Sequence, residues 1–408
     1  MDTKKVEHDL NLNFSFIQSF YWMAFCSTGG FASVFLLSKD FDNREIGLVL
    51  ALANIFAVFL QPMVASFADS SKRVTLKQLV CILAFMALSF SAVLIFIPDS
   101  FLIIASLFVL IFTSIIIMQP LINGLVFEFI NNGIFVNFGV TRGIGSVAYA
   151  MISYFLGVLV ERLGPDAIPY VSFLLILGLF ICLFMVKNIG NLPVEDDEAK
   201  KKTDKRNTSD NGKLIDFIRD YKRFLGYLLG ILLIFTYHTM FNNYLIHVVN
   251  RFGGTSKSLG LAIFIAAAVE LPAMGFFTIV VKKTGIRKLI FVSAFFFVLK
   301  AIGALIATNM VMLYVDQMLQ IFAYAIMIPA SVYYINVVMK EKDRVKGQAY
   351  TTSAMTAGAV IGNVLGGTLI DVYGVFSMLW ISVVFAIAGF VCILIFTEKE
   401  GELGYEKA

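Results

Sequence analysis

Residues 101–128 read FLIIASLFVLIFTSIIIMQPLINGLVFE, a run in which Glu128 is the only charged side chain. A helix needs about 20 apolar residues to cross the hydrocarbon core of a bilayer, so this run is long enough to span a membrane. Eleven further apolar runs lie before and after it. The sequence therefore predicts an all-α integral membrane protein with twelve spans, at residues 14–36, 45–68, 76–97, 101–128, 137–160, 167–187, 223–247, 258–281, 288–308, 311–339, 348–371 and 376–397.

The composition of the whole chain excludes an ordinary soluble protein. Apolar residues make up 59% of the chain, charged residues 15%, and the mean hydropathy is +0.84. Soluble domains are about 45–50% apolar and roughly a quarter charged. We find no nucleophile–base motif, phosphate-binding loop or cysteine pair with metal-ligand spacing. We therefore expect a protein that is not an enzyme and has no cofactor, with the proton gradient as its energy source. Its expected partners are a small-molecule substrate and the lipid bilayer, without nucleic acid.

The distribution of basic residues predicts the orientation in the membrane. If the N-terminus is inside, five of the 32 Lys and Arg residues fall in outer loops and two lie within spans. All the others lie on the inner side, and the positive-inside rule then places both termini in the cytoplasm. Residues 1–13 lack the features of a cleaved signal peptide, so we expect the first span to remain. The expected location is the plasma membrane of a bacterium-like cell, its inner membrane where there are two, with the monomer as the functional form.

One long hydrophilic stretch, residues 188–222, separates the first six predicted spans from the last six. It predicts an N-terminal bundle at 1–187, a cytoplasmic linker at 188–222 and a C-terminal bundle at 223–408. A charge run of this kind is usually a solvated linker, and a partner-binding or lipid-headgroup role is the alternative. Its last part, residues 214–223, is amphipathic and suited to lie along the membrane surface.

The two halves of the chain match each other at an offset of 210 residues. Pro62 corresponds to Pro272, and Gly157 and Gly164 correspond to Gly367 and Gly374. Six helices return the chain to the same side of the membrane, so the two halves run in parallel. Parallel six-helix repeats place a substrate site between them, near the middle of the bilayer. The alternative is two bundles without a shared site.

Ionisable residues within the spans are the first candidates for function. Each costs about 2.5–3.5 kcal/mol at the centre of a spanning helix and is normally retained for a partner or a wet cavity. Glu270 lies near the middle of its span, far from any other charge in the sequence. Burial favours its neutral form, which suits a proton carrier; when ionised it can bind sugar hydroxyls. The alternative is a structural partner for a cation. Lys300 is the nearest candidate cation, and Glu270 or Asp316 could supply its carboxylate.

The fifth predicted span begins with a possible substrate clamp. Ser146 and Tyr149 follow Arg142 at i+4 and i+7, so the three side chains share one helix face. A guanidinium can bond to vicinal hydroxyls while an aromatic ring stacks on the C–H face of a sugar. The alternative is that Arg142 snorkels to lipid headgroups at the membrane surface.

Three further polar residues complete the predicted substrate contacts. His238 and Asn242 lie in span seven, and Gln320 lies in span ten. An isolated histidine in an apolar helix is either a proton site, since it titrates near neutral pH, or a hydrogen-bonded structural group. The predicted substrate-binding set is Arg142, Ser146, Tyr149, Glu270, His238, Asn242 and Gln320; the predicted proton-coupling set is Glu270, Lys300 and Asp316.

The motif Phe138-Gly139-x-x-Arg142-x-x-Gly145-Ser146-x-x-Tyr149 resembles one in the major facilitator superfamily. The likeness covers residues 14–397 and is closest to the oligosaccharide/proton symporters typified by lactose permease. It implies that Arg142 and the aromatic Tyr149 bind a sugar ring, and that Glu270 stands at the sugar-binding acid of span eight. Lys300 stands where that family has an arginine.

The chain also departs from that family's pattern. A sugar-binding acid on span four is replaced by Gly124, and the proton-coupling His and Glu of span ten by Gln320 and Ala323. From residues and resemblance together we expect proton-coupled symport of a small polyhydroxylated solute, a sugar or oligosaccharide, by alternating access. The alternatives are a nucleoside symporter, or a proton-antiport exporter of drugs or other amphipaths.

Overall fold

A computed structural model of the chain describes residues 3–70, 74–97, 100–186, 219–340 and 343–398. Most of the predicted linker, residues 188–218, lies outside these ranges. Within them the chain is helical and contains no strand. The α-helices are α1 (Thr3–Phe25), α2 (Ala32–Leu37), α3 (Asn43–Ser70), α4 (Leu76–Phe96), α5 (Phe101–Asn131), α6 (Phe138–Leu163), α7 (Ala167–Met185), α8 (Lys222–Asn243), α9 (Leu245–Arg251), α10 (Ser256–Thr284), α11 (Ile286–Ile306), α12 (Met310–Met318), α13 (Tyr324–Val338) and α14 (Arg344–Phe396).

The helices reproduce the twelve predicted spans. Ten stretches of the described residues are long and apolar enough to cross a membrane. One of them, α14, contains the last two spans, joined at Gly374, whose φ of 81° and ψ of 169° are not helical. The first span is formed by α1 and α2 together. The predicted twelve-helix fold is thus confirmed.

The first helix begins at Thr3, well before the predicted start at residue 14. Val6, Leu10 and Phe14 recur every four residues and are all buried. The residues between them are mostly polar, so a hydropathy average over this segment is low although one face is apolar. Helical periodicity, rather than mean hydropathy, was the signal for this extension.

Among the described residues three spans are interrupted, one of them at Tyr244 between α8 and α9. A π-helical turn at Cys26–Gly30 separates α1 from α2, and a 3₁₀ turn at Leu319–Ile321 separates α12 from α13. At the 3₁₀ turn the Ser293 hydroxyl donates to the carbonyl of Ala323 at 2.6 Å, and this carbonyl also accepts the backbone N–H of Met327 at 3.1 Å. Irregular backbone at membrane depth is tolerated where protein or a wet cavity surrounds it. Such breaks therefore mark places where a site can form.

Close helix contact in the second half depends on glycine. A Cβ atom at Gly362 of α14 would lie 2.5 Å from the carbonyl oxygen of Thr236 on α8, and one at Gly366 would lie 2.7 Å from the ring of Tyr244. Small residues allow such close approach in membranes, where apolar burial does not drive helices together. Glycine at these positions therefore lets α14 pack directly against α8 and Tyr244.

The two halves of the chain meet at the end of the bundle opposite the termini, which we call the distal end. There the Asp371 carboxylate accepts hydrogen bonds from the backbone N–H and side-chain amide of Asn43, at 3.3 and 2.7 Å, and from the backbone N–H of Arg44 at 2.7 Å. On the other side of the bundle, the Thr255 hydroxyl donates to Glu161 at 2.7 Å. The distal end is therefore closed.

These distal contacts repeat with the sequence offset. Glu161 and Asp371 are 210 residues apart, and each carboxylate joins the end of one span to the start of a helix from the other half. Gly164 and Gly374, also 210 apart, share a backbone conformation, with φ of 86° and 81°. Such positive φ values strongly favour glycine. The internal repeat is thus visible in both contacts and backbone.

Candidate substrate and coupling site

Arg142 lies one turn into α6 and is held by two contacts. The helix starts after Asn137, whose side-chain oxygen accepts from the backbone N–H of Val140 at 3.1 Å. The Arg142 guanidinium donates from Nη1 to the Ser146 hydroxyl at 2.7 Å, and it lies 4.0 Å from the centre of the Trp22 ring. The predicted shared face of Arg142 and Ser146 is present, and an aromatic ring does cover the guanidinium.

The ring that covers Arg142 belongs to Trp22 on α1, which the sequence analysis did not select. Tyr149, the predicted aromatic, stands edge-on to Trp22 with ring centres 6.3 Å apart. A signal was available, because tryptophans of membrane helices are enriched at the two interfaces. Trp22 instead lies well inside the first span, and it is one of only two tryptophans in the chain.

In the second half, Gln320 connects two of the predicted charged residues. It lies in the 3₁₀ turn between α12 and α13, and its amide Nε2 donates to Oε1 of Glu270 at 2.9 Å. The ammonium of Lys300, which is fully buried, donates to Oε1 of the same amide. The bonding partner of Lys300 is therefore Gln320 and not, as we expected, a carboxylate. An amide bonded at both ends aligns the ammonium with the carboxylate.

Asp316 lies one turn before Gln320 and is 3% exposed. Neither of its carboxylate oxygens has a hydrogen-bond partner among the described residues, and the same is true of both polar atoms of Gln317. Asp316 lies against α11, where a Cβ atom at Gly303 would be 2.4 Å from its Oδ1. A buried carboxyl without a hydrogen-bond donor is costly to ionise, which suits a group that takes up a proton.

His238 and Asn242 form an aromatic and polar surface on α8. The His238 ring stacks on Tyr324 of α13, with centres 4.9 Å apart and an angle of 13° between the planes. The Asn242 amide lies 3.0 Å from Nδ1 of His238 and donates to the His238 carbonyl at 2.7 Å. The tautomer of His238 decides whether its ring nitrogen accepts from the amide.

The site as a whole combines residues from both halves of the chain. Arg142, Ser146 and Tyr149 come from α6, and Glu270 comes from α10. Arg142 and Glu270 are both partly exposed, and their helices contact each other where the Ser153 hydroxyl of α6 donates to the carbonyl of Gly260 on α10 at 3.3 Å. Within the described ranges, no three His, Cys, Asp or Glu side chains lie close enough together to hold a metal ion. The described groups of this site supply hydrogen-bond donors and acceptors and aromatic ring surfaces.

Comparisons with known proteins agree with this architecture. The family model described as "MFS_1 like family" matches residues 13–382. A curated relative, the "Uncharacterized transporter YwbF" of Bacillus subtilis (strain 168), is 23% identical over 402 residues, which cover 94% of each chain.

Solved structures of transporters share the fold. A mutant of the nucleoside transporter NupG superposes with a TM-score of 0.78 at 16% identity, covering 95% of this chain and 98% of that one. A mutant of the peptide transporter POT superposes with a TM-score of 0.71 at 11% identity and covers 97% of both chains. At these identities the likeness extends to the fold alone. The finer resemblance to oligosaccharide/proton symporters stays a prediction.

Proposed function

Because the chain belongs to the MFS_1 like family and is a multi-pass membrane transporter, not an enzyme, we propose that it carries out proton-coupled symport of a small polyhydroxylated solute. A sugar or oligosaccharide is the first candidate. The observation that carries this proposal is the presence of two opposite, partly exposed charges, Arg142 and Glu270, on contacting helices from opposite halves. A solute with several hydroxyl groups can accept from the first and donate to the second.

The hydrogen-bonding capacity of the site residues from the two halves supports this solute class. Arg142 has five N–H donors, and the bond to Ser146 leaves others for oxygen atoms of a ligand. Glu270 accepts from Gln320 at Oε1, and its second oxygen can accept from a hydroxyl. Tyr149 and the His238–Tyr324 pair supply ring surfaces against which the C–H faces of a sugar can pack.

Glu270, Lys300 and Asp316 are our proposed proton-coupling residues. Gln320 links the Glu270 carboxylate to the fully buried Lys300 ammonium, since it bonds to both of them. Protonation of Glu270 or Asp316 changes the net charge around Lys300. Solute bound to Glu270 changes the surroundings of the same charges. One charge moving across 100 mV releases about 2.3 kcal/mol, which supports roughly 50-fold accumulation.

The closed distal end fits one state of an alternating-access cycle. With both termini in the cytoplasm, as the basic residues predict, the distal end faces outward and the site opens inward. We propose that residues 1–187 and 223–408 move as two bodies about this site, with residues 188–222 as their cytoplasmic link. We also propose that the protein works as a monomer in a bacterial plasma membrane.

A nucleoside is the second candidate. The flat His238–Tyr324 stack would accept a planar base, and ribose hydroxyls would satisfy the same polar groups. The fold is shared with the nucleoside transporter NupG. A proton-antiport exporter of amphipaths is the third candidate and is less compatible with two fixed opposite charges.

External pH in lightly buffered, energy-depleted cells that express the protein tests the proposal. Mono-, di- and trisaccharides and nucleosides are added down their gradients. One solute should make the medium alkaline, and Glu270→Gln should abolish this change. Asp9→Asn, which alters an exposed carboxyl at the start of α1, should preserve it. Uptake of a solute without any pH change, or uphill accumulation by Glu270→Gln, would contradict proton symport through Glu270.

A further inference from the structure

We propose that Trp22 is a positioning residue of the substrate site, which holds the Arg142 guanidinium in place before solute binds, and that Gln18 and Asn123 fix the orientation of its indole. The role in transport rests on the proposed function of Arg142 as a substrate contact. The contact between ring and guanidinium is a property of the protein without solute, so it can be tested separately.

The guanidinium is restrained in two directions. Its central carbon lies 4.0 Å from the centre of the Trp22 ring, well within the distance of about 6 Å at which a cation and an aromatic face attract. Its Nη1 donates to Ser146 at 2.7 Å. The ring occupies one face of the planar group and the hydroxyl occupies one nitrogen. The remaining N–H groups are left for a ligand.

The indole is itself fixed by a chain of two amides, of which Gln18 is buried. Nε1 of Trp22 donates to Oε1 of Gln18 at 3.2 Å, and Nε2 of Gln18 donates to Oδ1 of Asn123 on α5 at 3.3 Å. Gln18 is only 1% exposed. A polar group buried in this way is costly to leave unbonded, so each link resists rotation of the next. The chain of bonds therefore specifies one orientation of the ring.

The contact between α1 and α6 is shaped to admit this ring. A Cβ atom at Gly145 would lie 2.7 Å from Cδ1 of Trp22 and 3.0 Å from the carbonyl oxygen of Gln18. Because Gly145 lacks a side chain, α1 and α6 can approach closely at this position. It lies between Arg142 and Ser146 in the sequence. Gly145, which the fifth-span motif already contains, thus has a local reason to be glycine.

The intrinsic fluorescence of the protein can report the contact without any solute. The chain has two tryptophans, and Trp380 is 52% exposed. In the Trp380→Phe protein, emission comes from Trp22 alone. Arg142→Leu in that background should shift the emission maximum and change the intensity. The matched control is Arg251→Leu, which removes a guanidinium stacked on Phe252 and Phe376 instead. It should leave the emission unchanged. Identical emission with and without Arg142 would overturn the proposal.

Transport kinetics test the consequence for the solute. With lactose as the disaccharide probe and uridine as the nucleoside probe, Trp22→Leu should raise KM about 10- to 30-fold and leave the maximal rate within about twofold. Trp22→Phe keeps an aromatic face and should restore most of the affinity. Equal KM values for the two variants would contradict positioning by the ring. If the parent protein transports neither probe, the proposed solute class fails, while the fluorescence result still decides whether Trp22 holds Arg142.

Discussion

The distal closure through Asp371 gives a prediction whose size can be worked from the structure. One oxygen of this carboxylate accepts the N–H and the amide of Asn43, and the other accepts the N–H of Arg44. These are among the first N–H groups of α3, which begins at Asn43 and carries the positive end of its dipole there. Asp371 thus joins α14 to the start of a helix from the other half.

Asp371→Asn should favour opening of the distal end. The new amide presents an NH₂ group to at least one of the donors, so a charge-assisted bond worth about 1.5 kcal/mol is lost. The interaction of the charge with the helix terminus contributes about 0.5 kcal/mol more. A total of about 2 kcal/mol shifts the ratio of open to closed forms about 30-fold towards the open form. The wild-type side chain is exposed, so both figures are taken from the low end of their ranges.

The distance between spin labels at positions 162 and 373 measures the opening. Both residues are exposed and lie at the distal end, one in each half. The native cysteines are first replaced, and pulsed electron paramagnetic resonance then gives the distance distribution. Asp371→Asn should increase the fraction at longer distance. Glu161→Gln keeps an oxygen that can accept from Thr255, so it should change that fraction much less. A distribution unaltered by Asp371→Asn, or altered equally by both variants, would refute the reasoning.

Three further outcomes are expected. Lys300→Met removes the ammonium bonded to Gln320 and should abolish uphill accumulation while solute exchange at equal concentrations persists; loss of both would place Lys300 in solute binding instead. Gly362→Leu should lower the melting temperature in detergent because the side chain meets the backbone of α8, whereas Gly143→Ala, with nothing within 4 Å of its Cβ, should not. Gly374→Ala forces a Cβ into a backbone conformation with φ of 81° and should destabilise the protein by about 1–3 kcal/mol, measured by thermal unfolding.

The sequence predicts the fold well because the membrane imposes a simple rule. Every spanning helix must be apolar and about 20 residues long, so the spans can be found without knowledge of their contacts. The joint at Gly374 between the last two spans was also predictable, since glycine marks a turn. The start of α1 at Thr3 was missed because its buried residues are separated in sequence by polar ones. The segment therefore contains no continuous apolar run.

The candidate site was only partly predictable. Arg142 and Ser146 are one helical turn apart, so their contact follows from local geometry. The bond from Gln320 to Glu270 joins residues 50 positions apart, and Trp22 reaches Arg142 from a different helix. Contacts of this kind depend on how helices cross and on where a helix breaks. A single sequence does not record either of these.

The repeat also separates what maintains the fold from what carries the proposed chemistry. Its matched positions either shape the backbone, as Gly164 and Gly374 do, or make the distal contacts, as Glu161 and Asp371 do. The charges of the site have no such counterparts: 210 residues after Arg142 the chain has Thr352, and 210 residues before Glu270 it has Leu60.

Symmetry in the closure and asymmetry in the site have different physical reasons. A closure that must open and shut as two similar halves move needs equivalent contacts on both sides of the bundle. For a solute bound between a cation and a carboxylate, one half of the chain must supply the cation and the other half must supply the carboxylate. The proposed proton-coupling residues, Glu270, Lys300 and Asp316, all lie in the second half. Transferring Arg142 to its counterpart position, as Arg142→Thr with Thr352→Arg, should therefore abolish solute binding while the distal closure persists.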